Sequence, residues 1–126
     1  MKNCDLSIFA SPLIPMENCL FCKIIKKEIP AEFVYESDLV VAFPDIHPSA
    51  DEHILIVPKR HVRGISSKGR PASGWGELLV EIYKVVEKLV IEFNLSKYRV
   101  VVNGGSAQQI PHLHFHLLGG TWKKMV

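Results

Sequence analysis

The stretch His112-Leu113-His114-Phe115-His116-Leu117-Leu118-Gly119-Gly120 sets three histidines in alternation with large apolar residues. A period of two is a strand pattern. It places His112, His114 and His116 on one face and Leu113, Phe115 and Leu117 on the other, where a core would take them. Same-face neighbours on a strand stand about 7 Å apart, from a rise of about 3.3 Å per residue. A phosphate held against the middle imidazole is then within reach of an outer one. Solvated strand faces are normally built from Lys, Glu and Thr, so three successive histidines point to chemistry rather than to solvation.

The rest of the chain bounds what that chemistry serves. Its 126 residues suffice for one domain with its own core. An apolar content of 48%, a charged content of 22% and a formal charge of +2 are ordinary globular values. They argue against a dedicated nucleic-acid or membrane-surface binder. No apolar run approaches the roughly 18 residues of a membrane span. The three cysteines, Cys4, Cys19 and Cys22, are an odd number containing one Cys-x-x-Cys pair. That usage suits metal or redox chemistry in a reducing, cytoplasmic compartment better than a disulfide framework. Residues 1–17 read as a flexible N-terminal extension and residues 18–126 as the domain.

Along the chain, Asn18 is the expected cap of a short helix over Leu20 to Lys27, which Pro30 closes. Glu32 to Glu36, Leu39 to Phe43 and His53 to Val57 read as strands, with a two-proline loop from Pro44 to Pro48. Lys59 to Ser73 is loop-like and basic, a solvated loop in preference to an anion-attracting rim. Ser73 is the expected cap of a long helix, Trp75 to Phe93, with apolar residues at helical spacing and Asn94 as its stop. Tyr98 to Asn103 and His112 to Leu118 complete the strands. This order, without regular βαβ alternation, implies an α+β fold with a mainly antiparallel sheet.

Several site chemistries fit these residues. Three strand histidines can bind one metal, as in a His₃ hydrolase. Alternatively, Cys19 and Cys22 take one strand histidine and one from elsewhere as a Cys₂His₂ set, which leaves the other histidines metal-free. A metal-free imidazole on a rigid strand is a nucleophile, and His114, flanked on both sides, is best placed. Attack on phosphorus needs in-line positioning and stabilised non-bridging oxygens. His116, the amide of Asn103 and the backbone N–H groups of Gly104 to Ala107 can supply that stabilisation. Asp45 can accept from a ribose diol.

These residues resemble the histidine triad (HIT) family, whose signature is His-φ-His-φ-His-φ-φ with φ apolar. Upstream blocks are similar too: Cys19-Leu20-Phe21-Cys22-Lys23-Ile24-Ile25 with Glu28-Ile29-Pro30, then Ala42-Phe43-Pro44-Asp45-Ile46, His53 to Lys59, and Val101-Val102-Asn103. Gly119-Gly120 looks like the Hint branch, the nucleoside phosphoramidases. The resemblance implies a five-stranded, mainly antiparallel sheet with a short N-terminal helix and one long helix, continued across a homodimer. It implies His114 as the nucleotidylated residue, His116 as phosphate contact and leaving-group aid, and His53 and His112 as supporting histidines. Asp45 and Ile46 match the ribose contacts, and Asn103 a phosphate contact. Phe21, Ile24, Ile29, Phe43 and Leu55 match the slot for the base. Members with the Cys pair hold structural zinc through residues matching Cys19, Cys22, His61 and His112, with no organic cofactor.

Two positions depart from the family pattern. Gln108 keeps its expected place near the nucleotide, but Gln109 stands where a small hydroxyl residue is common and Ala107 where glycine is. Both bear on the leaving group. The implied activity is cleavage of purine nucleoside phosphoramidates, or of aminoacyl- or acyl-adenylates, to AMP or GMP. The rivals are a dinucleoside polyphosphate hydrolase or nucleotidyl transferase of the same superfamily, and a non-catalytic nucleotide-binding regulatory or scaffold protein.

Overall fold

The computed structural model describes residues 18–66 and 69–126, so the expected extension over residues 1–17 lies outside the described residues. Helix α1, Leu20–Ile25, is capped by Cys19 rather than Asn18, because the Cys19 Sγ accepts from the Cys22 N–H at 3.4 Å. It ends two residues before the expected Lys27, which takes a left-handed backbone (φ 66°) that no helix continues through. Strands β1, Tyr35–Glu36, β2, Val40–Pro44, and β3, Ala50–Pro58, follow. Helix α2, Trp75–Glu92, starts at Gly74 with no side-chain cap, so Ser73 does not play the expected part. Asn94 does stop it, in the left-handed region at φ 52°. Strand β4, Tyr98–Val102, a 3₁₀ turn at Gly105–Ala107 and strand β5, Phe115–Trp122, complete the chain.

The five strands form one sheet in the order β1-β2-β3-β5-β4, every pair antiparallel. Alternation along the strands divides the core. Val40, Ala42, Ile54, Ile56, Phe115 and Leu117 face α2. Val41, Phe43, Leu55 and Val57 face α1. Leu113, Phe115 and Leu117 join the α2 side as the histidine stretch predicts.

The last strand is displaced from its expected place. It begins at Phe115, not His112, and runs on to Trp122. The cause is a hydrogen bond from the Leu113 N–H to the Val62 carbonyl at 2.6 Å. It ties the segment before β5 to the loop after β3 instead of to a neighbouring strand. His112 is thereby carried under α1.

Gly119 and Gly120 are demanded by packing. A Cβ on Gly119 would meet the Leu95 side chain at 2.6 Å. Gly120 adopts φ +79°, and a Cβ there would stand 2.6 Å from Asp51 Oδ2, the oxygen that accepts the Thr121 N–H at 2.9 Å. Among the described residues no helix is long and apolar enough to cross a membrane.

Candidate active site

A cleft of about 860 Å³ opens between α1, the β2–β3 loop, the sheet and the C-terminal tail. Phe21, Ile24, Ile29, Phe43 and Leu55 line its apolar part. The Phe21 and Phe43 rings meet edge to face, with centroids 5.9 Å apart. Asp45, His53, Asn103, Gln109, His114 and His116 line the polar part. Asp45 is fixed by a local turn, its Oδ1 accepting from the His47 N–H at 2.8 Å.

The hydrogen bonds settle which nitrogen of each imidazole carries the proton. His114 Nδ1 lies 2.8 Å from the His112 carbonyl. A carbonyl only accepts, so Nδ1 is the N–H and Nε2 holds the lone pair. His53 Nδ1 accepts from the Ser49 N–H at 2.9 Å, which puts the His53 proton on Nε2. That Nε2–H donates to His116 Nδ1 at 2.9 Å, and the His116 proton is left on Nε2. This last atom is buried without a partner. Burial lowers the pKa of His53, His114 and His116, that of His116 to about 4 with the neighbouring His114 and His53 adding to the effect. The polar end of the cleft therefore presents a free base at His114 Nε2 beside an unused donor at His116 Nε2.

A second cluster lies behind this one. The donor atoms of Cys19, Cys22, His61 and His112 all fall within 4.8 Å of one another, and all four residues are buried. Cys19 Sγ and Cys22 Sγ are 3.4 and 3.6 Å from His112 Nδ1, and Cys22 Sγ is 3.3 Å from His61 Nδ1. A tetrahedral ion with bonds of about 2.3 Å to sulfur and 2.0–2.1 Å to nitrogen sets adjacent donors about 3.5 Å apart, so these residues fit a metal such as zinc. The His112 Nε2–H donates to the Pro58 carbonyl at 2.8 Å and turns the Nδ1 lone pair toward the sulfurs. Asp45, His53 and His116 are also close enough to share a metal. The tautomers argue against it, because a metal on His53 Nε2 would set an Nδ1–H against the Ser49 N–H. No cluster among the described residues unites His112, His114 and His116 on one ion.

A model of the HIT domain matches residues 26–122 of this chain. The chain belongs to the HIT domain family. An uncharacterised HIT-like protein of Synechococcus elongatus is 40% identical over 107 residues, covering 82% of this chain and 91% of that protein. Among solved structures, a HIT family hydrolase from Legionella pneumophila is 44% identical with a TM-score of 0.75, covering 82% of this chain and 94% of that one. A HIT family hydrolase from Clostridium thermocellum is 39% identical with a TM-score of 0.76, covering 83% and 92%.

In this HIT domain the cleft brings together most of the residues singled out in the sequence, Ile46 included, its side chain exposed at the rim. Others are placed elsewhere, Cys19, Cys22 and His61 in the buried cluster. Gln108 does not line the cleft, because its amide donates to the carbonyls of Arg63 and Ile110 at 2.8 and 3.3 Å. His112 is fully buried among the cysteines, with no surface on the cleft. The Gly104–Ala107 segment is wound into the 3₁₀ turn and stands off the cleft wall. No described residue of the basic loop lines the cleft either, and its Lys59 is paired with Glu36 at 3.0 Å. Ser49, Lys124 and Glu32 are among the contributors that had escaped the sequence reading. Ser49 acts through its main chain, which leaves no side-chain signature. Lys124 stands beyond the strand that held attention.

Proposed function

We propose that this HIT-domain protein is a nucleoside phosphoramidase of the Hint-like branch. It cleaves purine nucleoside phosphoramidates, or aminoacyl- and acyl-adenylates, to AMP or GMP through a nucleotidyl adduct on His114. The observation that carries this reading is the opposed pair of ring nitrogens, a lone pair on His114 Nε2 beside the unpartnered donor His116 Nε2–H.

The purine enters the slot between Phe21, Ile24, Ile29, Phe43 and Leu55, where apolar burial and ring stacking hold it. Asp45 accepts from the ribose hydroxyls, with Ile46 against the sugar. Asn103 and Gln109 donate to the phosphate oxygens. His114 Nε2 forms a bond to phosphorus as the bond from phosphorus to the leaving nitrogen breaks. The electron pair goes to that nitrogen, which takes the proton from His116 Nε2. His53 keeps its Nε2–H on His116 Nδ1 and so holds the His116 ring with its Nε2–H free for the leaving nitrogen. Water then displaces His114 and returns a proton to His116. His112 supports from behind, its carbonyl holding the His114 tautomer.

Cys19, Cys22, His61 and His112 would hold a structural zinc. Bound there, the ion supplies a cross-link between α1 and the segment entering β5. The protein works as a homodimer in the cytoplasm. Among the described residues β4 has a free edge, with Tyr98 exposed and its three valines only half covered, and Val80, Tyr83 and Ile91 on α2 are exposed as well. Such an edge is normally covered, and a second copy that extends the sheet covers it.

The deciding experiment is intact-protein mass spectrometry after brief incubation with an adenosine phosphoramidate, with wild type set against His114→Ala. A transient gain of one adenylate on wild type only, with AMP released, is the expected result. Bound AMP with neither adduct nor turnover replaces this reading with that of a nucleotide-binding module.

A further inference from the structure

The cleft is poor in positive charge. Its walls carry the carboxylates of Glu32 and Asp45, and Lys124 is the single Lys or Arg among the described lining residues. Burial holds the inner imidazoles neutral. A nucleotide brings at least one negative charge into this site, so the placement of that one ammonium bears on what the site accepts.

Lys124 is held in place through its neighbour. The Lys123 N–H donates to the Ser49 carbonyl at 2.6 Å, and the Ser49 N–H holds His53 Nδ1. The tail is thus fastened to the residue that orients His53. Burial lowers the His53 pKa, Asp45 opposes it, and His114 and then Lys124 add smaller lowering effects, so the Lys124 charge reaches the His53 ring. The α-phosphate already has donors of its own in His116 Nε2–H, Asn103 and Gln109. In-line displacement sends the leaving group away from His114 Nε2, and Lys124 is the one ammonium among the described lining residues that can meet a charge on it.

We propose that Lys124 selects leaving groups that bear their own negative charge, and that the substrates it fits are nucleoside phosphoramidates of amines carrying a free carboxylate, such as amino acids. This deepens the phosphoramidase reading and rests on it. The bonds are those given above: His114 to phosphorus forms, phosphorus to the amino nitrogen breaks, and that nitrogen takes the His116 proton. The amino acid departs with its carboxylate unchanged, and Lys124 pairs with that carboxylate throughout.

A matched pair of compounds tests it, adenosine 5′-phosphoramidates of glycine and of glycinamide, which differ by one charge at the far end. Wild type is expected to favour the glycine compound in kcat/KM by roughly tenfold at low salt. The preference should shrink as ionic strength rises and the ion pair is screened. In Lys124→Ala the ratio between the two compounds falls to about one, Lys124→Arg preserves it, and Lys124→Glu inverts it. An equal loss on both compounds assigns Lys124 to the α-phosphate and overturns the proposal, as does an unchanged ratio. If wild type cleaves neither compound, it is the phosphoramidase reading that fails. Equilibrium binding of the same two compounds to wild type and Lys124→Ala then decides the role of Lys124 by the same ratio.

Discussion

His114 Nδ1 donates to the main-chain carbonyl of His112 at 2.8 Å, while the His112 side chain faces Cys19 and Cys22. One residue therefore belongs to the buried Cys–His cluster through its ring and to the cleft through its backbone. An ion in the cluster would act on the cleft by holding that backbone still. Cys19→Ser, or prolonged chelation, is expected to lower Tm by several degrees and to reduce kcat in step with the loss of folded protein. Thermal denaturation and activity measured on the same samples check this. Reversible loss of activity with Tm unchanged would instead place the metal in the chemistry.

The chain Ser49 N–H, His53, His116 predicts unequal effects of two substitutions. His116→Gln removes the donor that faces the substrate and should lower kcat by about 10²-fold or more. His53→Gln keeps a neutral group beside His116 and should cost less, about tenfold, mostly in kcat. Steady-state kinetics on one phosphoramidate separate the two.

Acid should weaken the fold before it strips the carboxylates. His116 has a pKa of about 4 in the native protein against an ordinary value of 6.5. Above pH 6.5 it is neutral in both the folded and the unfolded chain and adds no pH dependence. Below 6.5 the unfolded chain takes up a proton that the native protein refuses, so stability declines as pH falls toward 4, by about 1 kcal/mol per pH unit for this group. Urea unfolding at pH 7.5, 6 and 5 should show the decline, with a shallower slope in His116→Gln.

Gly120→Ala places a methyl group against Asp51 at a left-handed position. It is expected to destabilise the protein by about 1–3 kcal/mol. Because the strain lies at the far end of β5 from His114, KM for a nucleotide should hold while the unfolding midpoint drops.

Much of this was legible in the sequence. Alternation alone separated Leu113, Phe115 and Leu117 from the histidines, because a strand has only two faces. Helical spacing gave α2 to within a residue, since its stripe of buried side chains is long. What escaped were features made by the backbone in three dimensions. The Leu113 N–H bonds to Val62, 51 positions back in the chain, and no local pattern shows that β5 therefore starts late. Cys19 replaces Asn18 as the cap because a sulfur turned toward His112 is already in place to accept. Gln108 has the right residue type for a phosphate contact, yet its amide is taken by the Arg63 carbonyl. Gly119-Gly120, a branch marker in sequence, is in the fold a place where Leu95 and Asp51 leave no room for a side chain.

Ser49 has both of its main-chain hydrogen-bonding groups committed, one to His53 and the other to Lys123. A pull on the end of the chain is thus transmitted through one peptide unit to the paired imidazoles. A substitution that shifts the Lys123 backbone is therefore expected to disturb the His53 ring as well.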